Sequence, residues 1–227
     1  NFEIEKWNTD SVVNSPTNIS GCALWLRADA GVLTNISGVV TNWVDQSGMG
    51  HDLTNYVGSP AVAAGALNGL PTVRFDGTSA VYSAYNFDPL VQYSVLAVAR
   101  YNGPDGFGRV ISSVDRNWFF GLQGSGDDRF YAEGWIHNGG RNSTNWHIHA
   151  GIINNAANPA ASYWRDGTLL AANNTGSGDA NYMIGRLKLG GWLLTNEYSK
   201  CDIAEVIIYD HVLSSAELDR IGGYLTA

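Results

Sequence analysis

Aromatic rings that can stack on a flat C–H surface sit beside hydrogen-bonding groups at two places in this chain. Between residues 116 and 141, Trp118, Tyr131 and Trp135 are interleaved with Arg116, Asn117, Asp128, Arg129, His137, Asn138 and Arg141, and Trp192 follows Gly190-Gly191. An indole or phenol face packs on the apolar side of a sugar ring, while guanidinium, amide, imidazole and carboxylate groups reach its hydroxyls. Trp118, Arg129, Tyr131, Trp135, His137, Arg141 and Trp192 are therefore the expected ligand contacts. Trp25, Trp43 and Trp164 lie in apolar runs and read as core. For Trp135 and Trp192, each next to glycine, the sequence is as compatible with burial as with exposure, and an exposed tryptophan also suits a protein interface.

Other chemistry is thinner. His147 and His149 in Trp146-His147-Ile148-His149 put two imidazoles on one face of a strand, as a metal pair or a general base would need, and as the polar face of any half-buried strand also would. Aspartates in polar turns supply hard oxygen ligands, so calcium is the expected cation, with Asp45, Asp76 and the adjacent Asp127 and Asp128 as candidate ligands. The same residues are ordinary turn formers that bond their own backbone. No Gly-x-Ser-x-Gly elbow or Cys/His signature for nucleophilic catalysis occurs. Cys22 and Cys201 match no zinc spacing. Each opens an expected strand, so antiparallel pairing in register separates the sulfurs beyond the ~7 Å Cα limit; a shifted register or neighbouring sheets would allow a bridge.

The elements that must position these groups are short strands. In 227 residues there are 27 Gly, 8 Trp and 11 Tyr but only two Met, a composition of tight turns and aromatic strands. Residues 1–19 read as an irregular lead-in and 20–227 as one domain. Ala23 to Asp29 is apolar on both alternating faces, which suits a central strand covered on each side. Further runs are Val39–Val44, Thr72–Phe75, Tyr93–Tyr101, Arg109–Ser113, Trp118–Leu122, Arg129–Trp135, Trp146–Ile153, Ala161–Arg165, Asn181–Leu187 and Ile203–Tyr209, separated by Gly, Asn, Asp and Ser. Ser214 and Glu217 make a capping box ahead of Leu218, Ile221 and Leu225, which predicts one short C-terminal helix. The formal charge of −8, with lysine only at 6, 188 and 200, leaves no basic stripe for nucleic acid or an anionic membrane. No apolar run is long enough to insert in a membrane. The chain opens at Asn1 without methionine, the expectation for a processed product or an excised domain.

Four segments resemble the bacterial branch of the laminin-G-like, concanavalin A-like lectin and glucanase superfamily: Leu24 to Val32, Trp43-Val44-Asp45-Gln46-Ser47-Gly48, Asn68 to Gly77, and Asp202 to Asp210 followed by Leu213-Ser214. They occur in that family's order and cover about residues 19 to 225. Met49 departs from the polar residue expected after Ser47-Gly48. The resemblance implies an all-β, two-sheet antiparallel jelly-roll sandwich whose first and last strands lie close together, in proteins that are usually secreted or on the cell surface and often multidomain. The catalytic members of laminarinase type carry Glu-x-Asp-x-(x)-Glu on one strand; this chain has no such spacing, and Glu133 and Glu205 are the carboxylates that would have to act from different strands.

The resulting expectation is a non-catalytic carbohydrate-binding module whose partner is a polysaccharide or glycoconjugate, calcium-supported, within a larger secreted or surface protein. An adhesion or structural domain that binds protein or itself is the alternative. A glycan-active hydrolase or lyase is the third reading.

Overall fold

The computed structural model describes residues 13–88, 90–103, 105, 107–140, 143–155, 157–174, 182–192 and 197–227. Arg141 lies outside them. The described strands are β1 (Cys22–Arg27), β2 (Val32–Thr34), β3 (Val40–Trp43), β4 (Asn55–Val57), β5 (Ala61–Leu67), β6 (Leu70–Asp76), β7 (Ala80–Tyr82), β8 (Gln92–Tyr101), β9 (Ile111–Ser113), β10 (Trp118–Gln123), β11 (Gly126–Ala132), β12 (Trp135–Gly139), β13 (His147–Asn154), β14 (Ala161–Arg165), β15 (Thr168–Asn173), β16 (Leu187–Leu189) and β17 (Lys200–Tyr209), followed by helix α1 (Ser215–Thr226). One sheet of eight strands runs β15-β14-β13-β8-β17-β6-β5, with β1 also joined to β17; a second, of seven, runs β12-β11-β10-β9-β16-β7-β4; β2 and β3 form a separate ribbon. All pairings are antiparallel. The chain is the all-β jelly-roll sandwich with one C-terminal helix that the sequence predicts.

Alternation explains the layers. Val95, Ala97, Ala99 and Tyr101 of β8 meet Trp118, Phe120 and Leu122 of β10 and Phe130 of β11 in the core between the sheets. The intervening Leu96, with Trp25, Ile207 and Tyr209, faces the other way and is covered by Leu218 and Ile221 of α1 and by Val13 and Ile19 of the lead-in. A strand buried on both faces loses its polar alternation, which is why β1 and β8 read as continuous apolar runs. The capping box forms as predicted: Ser214 accepts from Glu217 N–H while the Glu217 carboxylate reaches back to Ser214 N–H.

Covered on both faces as expected, β1 nonetheless pairs, among the described strands, with β17 alone. Burial reports the layers above and below a strand, not its neighbours within the sheet. On its free edge a turn replaces a strand: Trp25 N–H donates to Asp45 Oδ1 at 2.9 Å, Gln46 N–H donates to the Trp25 carbonyl at 2.7 Å, and His51 Nδ1 lies 2.7 Å from the Ala23 carbonyl. Asp45 also accepts from Ser47 N–H, Ser47 Oγ and His51 N–H. The Trp43-to-Gly48 segment thus completes backbone bonding that would otherwise be left open.

Three expectations change. The run Arg129–Trp135 is two strands, because Glu133 takes a left-handed φ of 52° and folds the chain into the β11–β12 hairpin. The strand expected over Asn181–Leu187 lies instead at Leu187–Leu189, with Tyr182 and Ile184 buried ahead of it. Trp164, expected in the core, is half-buried against the helix-side cluster.

Cys22 lies opposite Tyr209 in the β1–β17 register, at the far end of β17 from Cys201, and both are free thiols. Burial pushes the Cys22 thiol up to about 12 and the Cys201 thiol well above its ordinary range. Native protein at pH 8 is expected to leave both unreacted with a thiol reagent, and protein unfolded without reductant to titrate two thiols. A count of zero after unfolding would show a bridge and contradict this pairing.

Candidate ligand-binding face

The outward positions of the seven-stranded sheet form one cross-strand row. Asn55 of β4 lies opposite Tyr82 of β7, Tyr82 opposite Lys188 of β16, Lys188 opposite Ser112 of β9, Ser112 opposite Phe119 of β10, Phe119 opposite Tyr131 of β11, and Tyr131 opposite Trp135 of β12. Seven strands at the usual spacing make this row roughly 29 Å long. Its inward neighbours Val81, Leu187, Leu189, Ile111, Trp118, Phe120 and Phe130 belong to the core, so the row faces away from the other sheet.

At the β10–β12 end the row is aromatic and open. Phe119 and Tyr131 stack at 5.4 Å with an interplanar angle of 5°, and Trp135 meets Tyr131 edge-on at 5.2 Å and Phe119 at 5.6 Å. The hairpin at Glu133 makes this possible, since on one straight strand Tyr131 and Trp135 would sit about 13 Å apart. Trp135 is 41% exposed and Phe119 only 3%, so Phe119 is the floor beneath two reachable rings. The Arg129 guanidinium lies 5.9 Å from the Trp135 ring centre and donates to Gln123 Oε1 at 2.9 Å. Glycine is required beneath it: a Cβ on Gly126 would come within 2.2 Å of Arg129 Nε.

At the β16–β9 part the same row is covered. The chain leaves β16 at Gly190 (φ 84°), and Ser112 Oγ donates to the Gly191 carbonyl. Lys188 is fully buried, with Nζ 5.0 Å from the Tyr198 ring centre and 5.9 Å from that of Tyr82, and among the described residues it has no hydrogen-bond partner. Loss of solvation lowers its pKa to about 8. Between the covered and open parts stands Arg109, whose guanidinium carbon lies 3.7 Å from the Trp192 ring centre and 4.5 Å from that of Phe119. Bonds to Glu197 and Asn117, both 2.9 Å, fix its orientation.

Of the expected ligand contacts, Arg129, Tyr131 and Trp135 come together on this face, and Trp192 borders it through Arg109. Trp118 does not: it is fully buried and donates its indole N–H to Tyr93 Oη at 2.8 Å, because in Trp118-Phe119-Phe120 the strand turns 118 and 120 inward and only 119 outward. His137 also faces inward, stacked on Tyr163 of the other sheet at 5.5 Å, because it lies opposite Phe130. The residues missed were Phe119 and Arg109. Period-two alternation was the available signal for Phe119; for Arg109 the sequence offers none.

Of the carboxylates expected to bind calcium, only the consecutive Asp127 and Asp128 are neighbours in the chain, and each of the four has other partners. Asp45 is taken up by its four donors, and Asp76 accepts from the N–H and Oγ of Thr78 in its own turn, both at 2.9 Å. Asp128 pairs with Arg165 at 2.5 Å, and Asp127 lies 3.8 Å from Arg165 and 3.7 Å from His147. Among the described residues no group of three His, Cys, Asp or Glu is placed to hold a metal ion. His149 is enclosed, its Nδ1 2.7 Å from Tyr163 Oη, and burial, then the charge of His147, lowers its pKa to about 3. His147 instead meets Asp166 at 2.6 Å. Glu133 accepts from Asn117 N–H beside the seven-stranded sheet. Glu205 is on the outer face of the other sheet, bonded by Trp25 Nε1 at 2.5 Å and Tyr224 Oη at 2.9 Å. These two carboxylates face no common bond.

No protein-family model matches the chain, and neither does any curated protein sequence. Among solved structures it is similar to domain 4 of AbnA, a GH43 extracellular arabinanase from Geobacillus stearothermophilus solved with arabinotriose (TM-score 0.60, 14% identity, 89% of this chain and 98% of that one). It is also similar to a botulinum neurotoxin type C structure whose cell entry is described as dependent on two ganglioside molecules (0.62, 14%, 93% and 53%), and to Trypanosoma rangeli sialidase with sialic acid (0.57, 13%, 92% and 33%). The chain thus spans nearly all of the arabinanase domain, about half of the toxin chain and a third of the sialidase. At these identities the likeness establishes the class, a jelly-roll β-sandwich domain.

Two outcomes follow from this geometry. Between pH 8 and 10.5 the unfolded chain carries a proton on Lys188 that the folded chain sheds, so stability gains with rising pH across that window. Lys188→Met is expected to stabilise the protein by roughly 1–3 kcal/mol at pH 7 in denaturant unfolding, with the advantage fading towards pH 10.5; a pH-independent difference would contradict an unpaired buried ammonium. Asp45→Ala, which leaves Trp25 N–H and the turn unpaired, is expected to cost about 2–4 kcal/mol, equally with calcium or chelator present.

Proposed function

We propose that this chain is a non-catalytic carbohydrate-binding module, and that the open end of the outward row, Tyr131 and Trp135 over Phe119 with Arg129 at the side, is its binding surface. The observation that carries this reading is the pair of reachable rings at right angles, 5.2 Å apart, beside a guanidinium held by Gln123. One ring can take the flat C–H side of a sugar while the other and Arg129 meet its edge. The structural neighbours solved with arabinotriose and sialic acid support the reading as company of the same fold, which by itself fixes no function.

The finer proposals rest on the sequence. The four motif segments favour the laminin-G-like branch of the superfamily and an extracytoplasmic, bacterial source as part of a larger protein. Among the described residues no helix is long and apolar enough to cross a membrane. In this reading calcium supports the loops and the rings bind the sugar. A shallow surface of two rings gives affinities of micromolar to millimolar order, so neighbouring domains would contribute through avidity.

The test is a panel of neutral plant, algal and microbial polysaccharides, with calcium and again with chelator. Trp135→Ala and Tyr131→Ala are each expected to weaken binding roughly tenfold while leaving thermal unfolding near wild type. Failure of the folded wild-type chain to bind any member would overturn the reading and favour the adhesion alternative.

A further inference from the structure

The outer face of the eight-stranded sheet carries a second polar surface beyond α1. Arg74 of β6, Asp202 of β17 and Arg100 of β8 lie directly opposite one another across three adjacent strands. Trp146, just ahead of β13, extends the row, its ring centre 4.7 Å from the Arg100 guanidinium carbon. Asp202 is fully buried and accepts five N–H bonds: from Arg74 Nε and Nη2 at 2.7 and 2.9 Å, from Arg100 Nε and Nη2 at 3.1 and 2.9 Å, and from Asn102 Nδ2 at 3.1 Å. Burial alone would raise its pKa, but the bonds from Arg74, Asn102 and Arg100 outweigh this and hold the carboxyl below its ordinary range.

One bidentate arginine and Asn102 already satisfy a buried carboxylate, so the second guanidinium is in excess and the trio carries a net +1. Among the described residues neither Arg74 Nη1 nor Arg100 Nη1 has a hydrogen-bond partner. Both forks are reachable, with 47% and 25% of their side chains exposed, and with Asn102 and Thr144 they line a pocket of about 280 Å³. Next to the Arg74–Asp202 pair, Lys200 lies opposite Asp76; Lys200 bonds Asp105, and Asp76, which accepts from its own turn, keeps its negative charge. Two residues along β8, Val98 lines a separate, larger groove of about 550 Å³ with Leu70, Pro71 and Tyr224, in which Arg27 is paired with Asp29 and Glu205 adds a second carboxylate, so the oxyanion contact is confined to the Arg74–Arg100 pocket.

We propose that the Arg74–Arg100 pocket binds an oxyanion carried by an acidic polysaccharide, either a sulfate half-ester or a uronate carboxylate. Two planar forks fixed in place by Asp202 and Trp146 match oxyanion geometry, and little side-chain freedom is left to lose on binding. A chain of net charge −8 repels polyanions in general, so attraction to one must come from a local site. The polymer class is taken from the reading above, but the face is the opposite one, so the two proposals fail separately.

The full chain is titrated with dextran sulfate, polygalacturonate and neutral dextran at low salt, with inorganic sulfate as competitor. At least one anionic polymer is expected to bind, with affinity falling as salt rises; which polymer binds tells sulfate ester from carboxylate. Arg74→Gln, which leaves Arg100 and Asn102 on Asp202, is expected to weaken that binding roughly tenfold or more, and Arg74→Lys, which keeps the charge but not the fork, to weaken it less. Trp135→Ala is expected to leave it unchanged. Binding of the anionic polymers no tighter than dextran, or wild-type affinity in both folded Arg74 variants, would overturn the proposal.

Discussion

Hydrogen-bonded register across the seven-stranded sheet decides which side chains this molecule shows to solvent. The row from Asn55 to Tyr131 exists because five successive pairings keep the same parity, so that a one-residue slip at any of them would turn Tyr131 inward, while a register shift between the Phe130–His137 and Tyr131–Trp135 pairs brings Trp135 outward beside it. The core enforces the parity. Trp118, Phe120 and Phe130 fill the space between the sheets, and reversing them would expose three large rings while burying Arg129. β16, three residues long like β4, β7 and β9, ties β7 to β9, and it is there that Lys188 is buried against the rings of Tyr82 and Tyr198.

Each sheet has an outer face that is half covered. On the eight-stranded sheet α1 and the lead-in close over Trp25, Leu96 and Ile207 and leave the Arg74–Asp202–Arg100 row open. On the seven-stranded sheet Gly191 and Tyr198 cover Ser112 and Lys188 and leave Tyr131 and Trp135 open. Gly190 is needed at that turn, since a Cβ there would come within 2.3 Å of Phe75. Covering segments therefore set the extent of each candidate surface, while the sheets set its composition.

Much of the fold was legible because it is written in short-range patterns: apolar alternation, polar turns and a capping box. β5 is not legible in the sequence because it is built of small residues, Ala61-Val62-Ala63-Ala64-Gly65-Ala66, which carry little β signal. The site was legible in part. Aromatic and basic content placed attention on residues 118–141, but the inward or outward sense of Trp118, Phe119 and His137 depends on register, and the meeting of Tyr131 with Trp135 depends on a hairpin at Glu133, a residue type that rarely adopts positive φ. Trp192 and Arg109 meet across 83 residues of sequence, a contact that no local pattern encodes. Asp45 looked like a ligand because turn aspartates and metal aspartates share one chemistry; its donors, Trp25 N–H among them, are visible only in three dimensions.

The indole N–H signals of the tryptophans offer the most direct measurement of the central claim, that the outward row of the seven-stranded sheet receives a glycan. In a proton–nitrogen correlation spectrum titrated with an oligosaccharide fragment of whichever neutral polysaccharide binds, the Trp135 indole signal is predicted to move with saturation, Trp192 to follow weakly, and the buried Trp43 and Trp118 to stay fixed. Saturable movement at Trp25, beside Glu205 and the helix-side groove, with Trp135 unmoved, would place the ligand on the other sheet and contradict the account.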